Sequence, residues 1–354
     1  MSTGNSQEPI KITLDDLANV QVGEALPSAI LPPEPGSRSY GSINDASGQA
    51  PATEQERGSI FLQGWFYLGA AGLSGALLGW AICEPFFVDG NGMHWGNFLL
   101  MPVLVAMMAL GFGIAESLVE RSLQKALIRA ALALPLGAVL GLVFSFMADI
   151  VFGLLRFVCA ELGVTSFRSP LFWIARATAW TVFGVAGGLV YGIVGQSFKK
   201  GKFGILGGLL GAAIGGILFD PIAMWTGGAS AALSRAVGLG LVGLATGAMM
   251  GVVESALKDR WFYVTAGPLA GKQFILYKPQ STIGSNQQSD IYLFKDPSIL
   301  PTHAMLIANG SRITLRANGP VFISGSPVTN KVLLDDDLVQ IGRYTFRYKE
   351  KSRS

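Results

Sequence analysis

The chain has 354 residues, enough for two or so structural units, and half of them are apolar while 14% are charged. A soluble globular chain carries about a quarter charged residues, so this composition argues against a wholly soluble protein. The net charge of +3 is too small to argue for a nucleic-acid partner, and two cysteines, Cys83 and Cys159, are too few for a disulfide framework or a zinc site.

The charge deficit is uneven. Residues 1–58 carry Asp or Glu at eight positions and Lys or Arg at three, in a Pro-, Gly- and Ser-rich context. Such a stretch cannot bury enough apolar surface to offset its ordering entropy, so a disordered, solvated cytoplasmic tail is expected, the alternative at 12–26 being a short amphipathic piece or a docking segment. No basic stretch followed by a short apolar core opens the chain. The first apolar segment, near residue 60, is therefore expected to act as an uncleaved anchor.

Residues 59–256 read as a six-helix transmembrane region. A membrane helix needs about 20 mostly apolar residues, and the candidates are 60–82, 98–116, 128–149, 171–195, 203–222 and 234–256. Arg57, Arg121, Lys125, Arg129, Lys199, Lys200, Lys202, Lys258 and Arg260 flank one side, and Arg156, Arg168, Arg176 and Arg235 the other. The excess of basic residues predicts both termini in the cytoplasm of a multi-pass protein in a bacterial inner membrane, in contact with membrane lipid.

The spans repeat. "GALLGWAICEP" (75–85) aligns without gaps to "GAAIGGILFDP" (211–221), and "GAVLGLVFSFMAD" (137–149) shares their start. "FGIAES" (112–117), "GIVGQS" (192–197) and "MGVVES" (250–255) close the even spans. We read three copies of a two-helix hairpin, rich in glycines whose spacing leaves smooth faces for close helix packing. The acids Glu84, Asp149 and Asp220 end the odd spans, and Arg176 and Arg235 begin even ones. The expected arrangement pairs each acid with the arginine of its own hairpin, so Asp220 with Arg235. Asn97 stands at the arginine position of the first hairpin, which leaves Glu84 unpaired or solvated. Glu116, Gln196 and Glu254 are expected to meet water at the cytoplasmic edge. These intramembrane polar positions are candidates either for structural ion pairs or for a cation or proton path.

From residue 257 to 354 the chain becomes an ordinary soluble mixture. Alternating segments at 274–277, 290–294, 304–308, 312–317, 320–324, 331–334, 338–342 and 344–349 read as strands separated by turns such as Asn318-Gly319 and Ser324-Gly325. An all-β sandwich is predicted. Its pieces "TIGS" (282–285), "SDIYL" (289–293), "DPSILPTHAMLI" (296–307), "VFISGSPV" (321–328) and "LLDDDLVQIG" (333–342) resemble, in order and spacing, a forkhead-associated (FHA) domain across about 263–349. The resemblance implies eleven strands, apical loops that bind phosphothreonine peptides, and a loop-bracing role for His303. Two positions depart from the family. Ser285 replaces an Arg that contacts phosphate, and Leu300 replaces a phosphate-binding Ser. Losing the charge-assisted contact removes about 1.5–3 kcal/mol. Ser285, Asn286, Thr302, His303 and Ser324 remain the candidate phosphopeptide-binding residues, with Lys295 nearby.

His94 and His303 fall in different regions, and no nucleophile–base pair or metal constellation is legible. No cofactor, metal or catalytic activity is expected. The favoured reading is a membrane adaptor or scaffold whose FHA-like domain docks a cytoplasmic protein, with or without phosphothreonine. The alternative is a small channel or transporter formed by the three hairpins and regulated by that domain. A component of a secretion or envelope complex is a third reading, and the hairpins are also compatible with a homo-oligomer.

Overall fold

The structure is a computed structural model, and it describes residues 59–88, 94–166, 168–225, 231–310 and 312–351. The tail at 1–58, including 12–26, lies outside the described residues.

Six helices follow one another: α1 (Gly64–Cys83), α2 (Trp95–Val119), α3 (Leu123–Glu161), α4 (Pro170–Val194), α5 (Phe198–Trp225) and α6 (Ala231–Leu257). All six are long and apolar enough to cross a membrane. Local chemistry sets their ends. The Ser122 hydroxyl caps α3 by accepting from the Lys125 N–H, and Pro170 occupies the first turn of α4, where its missing N–H costs nothing. Gly163, at φ +73°, closes α3 with Val164 N–H donating back to Cys159 O. This left-handed C-terminal turn satisfies otherwise orphaned carbonyls. The α2–α3 and α4–α5 turns take the same form through Arg121 and Gln196, each at positive φ.

Each helix packs on its chain neighbours, and α6 returns to α1, so the six close into a ring with α2 also touching α4. Glycines set the spacing. A Cβ on Gly215 of α5 would lie 2.6 Å from Val242 Cα of α6, and one on Gly207 would lie 2.5 Å from Met250 Cα. Gly184 and Gly208 bring α4 and α5 together backbone to backbone, as Gly72 and Gly243 do for α1 and α6. Inside the ring, Met101, Met108, Trp180, Leu239 and Val242 surround a cavity of only about 20 Å³.

The ion pairs correct the expected arrangement. Asp220 bonds Arg176 of α4 at 2.7 Å, and Glu84 bonds Arg235 of α6 at 2.5 Å. Each contact joins helices consecutive around the ring but belonging to different hairpins, because the seams between hairpins are as close as those within them. Glu84 is therefore paired, and Asp220 does not meet Arg235. Asn97 instead holds Val88 through both its amide oxygen and its amide nitrogen. Asp149 is exposed and has no polar partner among the described residues. Helix α3 also runs twelve residues past its expected end at 149.

Immediately after α6 the chain forms an eleven-stranded sandwich. One sheet has the order β2-β1-β11-β10-β7-β8 and the other β4-β3-β5-β6-β9. The strands are β1 (Arg260–Ala266), β2 (Gln273–Ile275), β3 (Gln280–Gly284), β4 (Ile291–Tyr292), β5 (Ala304–Asn309), β6 (Arg312–Ala317), β7 (Phe322–Ile323), β8 (Ser326–Pro327), β9 (Asn330–Val332), β10 (Leu338–Ile341) and β11 (Tyr344–Glu350). Alternation places Tyr344, Phe346 and Tyr348 of β11 inward, opposite Val264 and Phe262 of β1. The core they form with Ile283, Leu306, Leu315 and Val339 is built wholly from residues of the sandwich.

Candidate functional site

The loops β3–β4, β4–β5 and β6–β7 meet at one end of the sandwich. The end of β3 presses on the β4–β5 loop, so closely that a Cβ on Gly284 would lie 2.9 Å from Leu300 O. Ser285 N–H donates to Leu300 O at 3.0 Å, and Asn286 N–H to Pro301 O at 3.3 Å. His303 is buried beneath them. Its Nδ1 accepts from Leu300 N–H at 3.1 Å, so its Nε2 carries the proton shared with Pro320 O at 2.9 Å. Its backbone carbonyl accepts from Asn318 and Gly319 N–H. Gly319 has no room for a side chain, since a Cβ would stand 2.6 Å from the His303 ring. His303 thus ties the β4–β5 loop to the β6–β7 loop, the bracing role its family resemblance implied.

Asp296 anchors the other end of the β4–β5 loop. Bonds from the Ser298 hydroxyl and the Arg343 N–H hold its carboxyl below the usual carboxylate range. Burial opposes ionisation of Asp290, but hydrogen bonds from Lys278 and Thr282 outweigh it, and its pKa is lowered. Burial also pushes the Tyr344 hydroxyl, which donates to Phe294 O at 2.7 Å, up to about 12.

The five candidate residues do not form one pocket. The Ser285 hydroxyl donates to Ile299 O at 2.8 Å, and the Asn286 amide oxygen accepts from Gln288 N–H. The Ser285 hydroxyl is spent on loop structure, whereas Asn286 is exposed and only its amide oxygen is engaged. Thr302 is exposed. Ser324 lies elsewhere: β7 runs antiparallel to β10, which places Ser324 beside Leu338, at the end of β10 remote from the Asp296 anchor. A φ of +51° puts Ser324 in the β7–β8 turn. Asn318, read from the sequence only as part of a turn, donates its side-chain amide to Thr302 O at 3.3 Å and belongs to the exposed rim. That rim comprises Leu300, 44% exposed, with Thr302 and Asn318, while Lys295 is exposed at the Asp296 end of the loop.

The β3–β4 loop is committed to the helices. Gln287 O accepts from the Ser122 hydroxyl at 3.0 Å, and its side-chain oxygen accepts from Gln124 N–H at 3.1 Å. Lys125 Nζ donates to Ser289 O at 3.2 Å, and Arg121 lies over the Phe294 ring. Below the loop, Lys272 of the β1–β2 turn pairs with Glu120 at 2.7 Å, both side chains at most 2% exposed. The Tyr277 hydroxyl donates to Glu254 of α6 at 2.7 Å; burial, and then the Glu254 charge, hold that hydroxyl well above its usual pKa. Glu254 also accepts from Tyr191, and Glu116 bonds Arg129 and Lys200. Glu116 and Glu254 therefore do not simply meet water as expected. They line a cavity of about 170 Å³ with Tyr67, Gln273 and Tyr277 at the junction of helices and sandwich. Gln196 is exposed as expected. Glu120, Lys272 and Tyr277 escaped sequence reasoning because their partners are distant in the chain and no local motif marks them.

An eleven-stranded sandwich with histidine-braced end loops, fused to a glycine-packed helical ring, is the class of protein this geometry defines. Residues 263–352 match the family described as the inner membrane component of T3SS, cytoplasmic domain. The chain is 31% identical over 101 residues to the glycogen accumulation regulator GarA of Mycolicibacterium smegmatis, covering 28% of this chain and 63% of that protein. It is also 31% identical over 115 residues to the oxoglutarate dehydrogenase inhibitor of Corynebacterium efficiens, covering 32% of this chain and 78% of that one. Among solved structures, the cytoplasmic domain of the T3SS sorting platform protein PscD from P. aeruginosa is 21% identical, with a TM-score of 0.24, over 27% of this chain and 83% of that chain. Through residues 263–352 the chain belongs to the forkhead-associated domain family.

Proposed function

We propose that this protein is an adaptor anchored in a bacterial inner membrane by its six helices, with both termini in the cytoplasm, and that its sandwich docks a cytoplasmic protein through the β4–β5 and β6–β7 loops. The observation that carries this reading is the division of labour among the loops. The β3–β4 loop is seated on the α2–α3 turn, while Leu300, Thr302 and Asn318 stay open. The match at 263–352 to the cytoplasmic domain of an inner-membrane secretion component supports a role in an assembly. The small apolar cavity inside the ring favours an anchor over a conduit, since a water-filled path needs polar partners along it.

Docking does not depend on phosphothreonine. Leu300, Thr302 and Asn318 offer only neutral groups to a dianion, and the Ser285 hydroxyl is already engaged. A neutral hydrogen bond contributes about 0.5–1.5 kcal/mol, roughly half of a charged one, so affinity for a phosphothreonine peptide falls at least about tenfold below that of a pocket with the arginine and serine. Titration of the full chain in nanodiscs with a phosphothreonine peptide library tests this. Binding should be weak and nearly indifferent to phosphate, and the double change Ser285→Arg with Leu300→Ser should create phosphate-dependent binding. Micromolar, phosphate-requiring binding by the unaltered chain contradicts the reading.

A further inference from the structure

One face of α3 is unused by the fold. The opposite face, with Ala133, Gly137, Gly141, Ser145 and Ala148, is buried. The open face carries Val139, Leu142, Phe146, Asp149, Gly153 and Arg156, all exposed. Their spacing alternates three and four residues, the pattern of a helix-packing seam. Phe146 is 64% exposed, and a Cβ on Gly153 would meet nothing within 4 Å. Neither Asp149 nor Arg156 has a polar partner among the described residues.

Asp149 differs from its counterparts. Glu84 and Asp220 stand at the same place in their segments, about one helical turn earlier than Asp149 in its own, and each is held by an arginine of the neighbouring helix. The matching place on α2 holds Asn97, whose side chain is engaged by Val88. Asp149 also lies at the level of the Arg176–Asp220 pair. It is one turn from Phe152, whose ring meets Phe172 at 5.6 Å, and Phe172 is one turn from Arg176. A carboxylate exposed at that depth on an apolar helix is costly unless a partner meets it.

We propose that this face of α3 is the docking seam for a transmembrane helix of a different membrane protein, one that presents Lys or Arg at the level of Asp149 and packs against Gly153. Charge complementarity selects this occupant. A second copy related by an axis normal to the membrane would bring Asp149 against its own equivalent, and like charges repel. The partner helix supplies the arginine that Asn97 does not, and an acid seven residues further out on that helix would meet Arg156. This inference rests on the membrane-anchor reading.

The test uses the full chain in proteoliposomes with a photoreactive phenylalanine analogue in place of Phe146. The probes are two synthetic apolar transmembrane peptides, alike except for one Arg or one Leu at the depth of Asp149. The Arg peptide should crosslink about tenfold more than the Leu peptide, given the strength of charge-assisted bonds at a membrane seam. That preference should vanish in Asp149→Asn and persist in Asp149→Glu. Equal crosslinking of both peptides, a preference that survives Asp149→Asn, or products formed only with a second copy or with lipid would overturn it. Alkaline extraction separates the two claims. Loss of the chain from the bilayer sinks the anchor reading and this inference together, while retention without an Arg preference sinks only the seam.

Discussion

At the scale of single residues, the dock between helices and sandwich depends on the Glu120–Lys272 pair, buried on both sides. Removing Glu120 strands the buried Lys272 charge, which costs about 3–5 kcal/mol in buried pairs, whereas removing Lys272 leaves Glu120 its bond from Lys125 at 2.9 Å and costs less. Glu120→Ala and Lys272→Ala should therefore each lower the unfolding temperature of the full chain, and the double change should cost less than their sum. Strict additivity in a double-mutant cycle would show that the pair does not interact. His303→Ala should leave Leu300 N–H and Pro320 O without their shared partner, at about 1–3 kcal/mol for each stranded group, and proteolysis in the β4–β5 and β6–β7 loops should accelerate. Asp290 gives a signed pH effect. Its folded pKa is lowered, so its stabilisation is complete above the ordinary carboxylate pKa and is lost as pH falls through the folded value. Replacing it with Asn should lower stability near neutral pH and flatten the acid limb of a stability profile. An acid limb as steep as that of the unaltered chain would contradict this.

At the scale of elements, the helices depend on shape more than on apolarity. Gly211 faces the backbone of Ala245 and Thr246, and Gly215 that of Val242. Gly211→Leu or Gly215→Leu should push α5 off α6 and reduce folding yield in detergent far more than Leu209→Ala, because close backbone approach is the packing gain available between apolar helices in lipid. Equal yields for the three variants would count against it. The existence of six long apolar helices was legible from runs such as "GILGGLLGAAIGG", and the sandwich from its turns and alternation. The full length of α3 was not, since nothing between Asp149 and Glu161 breaks a helix and the expected end came from bilayer thickness alone. Strands β1, β3 and β8 also escaped: β1 is set by pairing with the distant β11, β3 by pairing with β5 across two loops, and β8 is only two residues paired with β7 across a tight turn. The candidate site was legible in part. His303 braces the loops as its resemblance implied, whereas Ser324 was misplaced because sequence order does not reveal at which end of the sandwich β7 finishes.

At the scale of the whole molecule, the arginine pairing records how the ring closes. Local order put Asp220 with Arg235, fifteen residues on, yet the seam between α4 and α5 brings Arg176 to it. In a double-mutant cycle Asp220 should couple to Arg176 and not to Arg235, and Glu84 should couple to Arg235. Coupling of Asp220 to Arg235 instead would mean that the hairpins close on themselves and the ring is wrong. In the proposed reading, a closed ring, a buried dock and an open loop rim make the sandwich a platform that binds its partner on the β4–β5 and β6–β7 side. The most direct test is affinity purification of the full chain from native membranes, with and without phosphatase, beside a Leu300→Asp variant. The account predicts the same cytoplasmic partner with and without phosphatase, and its loss from the variant, whose rim then carries a charge where the partner meets Leu300. Capture that disappears on phosphatase treatment, or that is indifferent to Leu300→Asp, would contradict it.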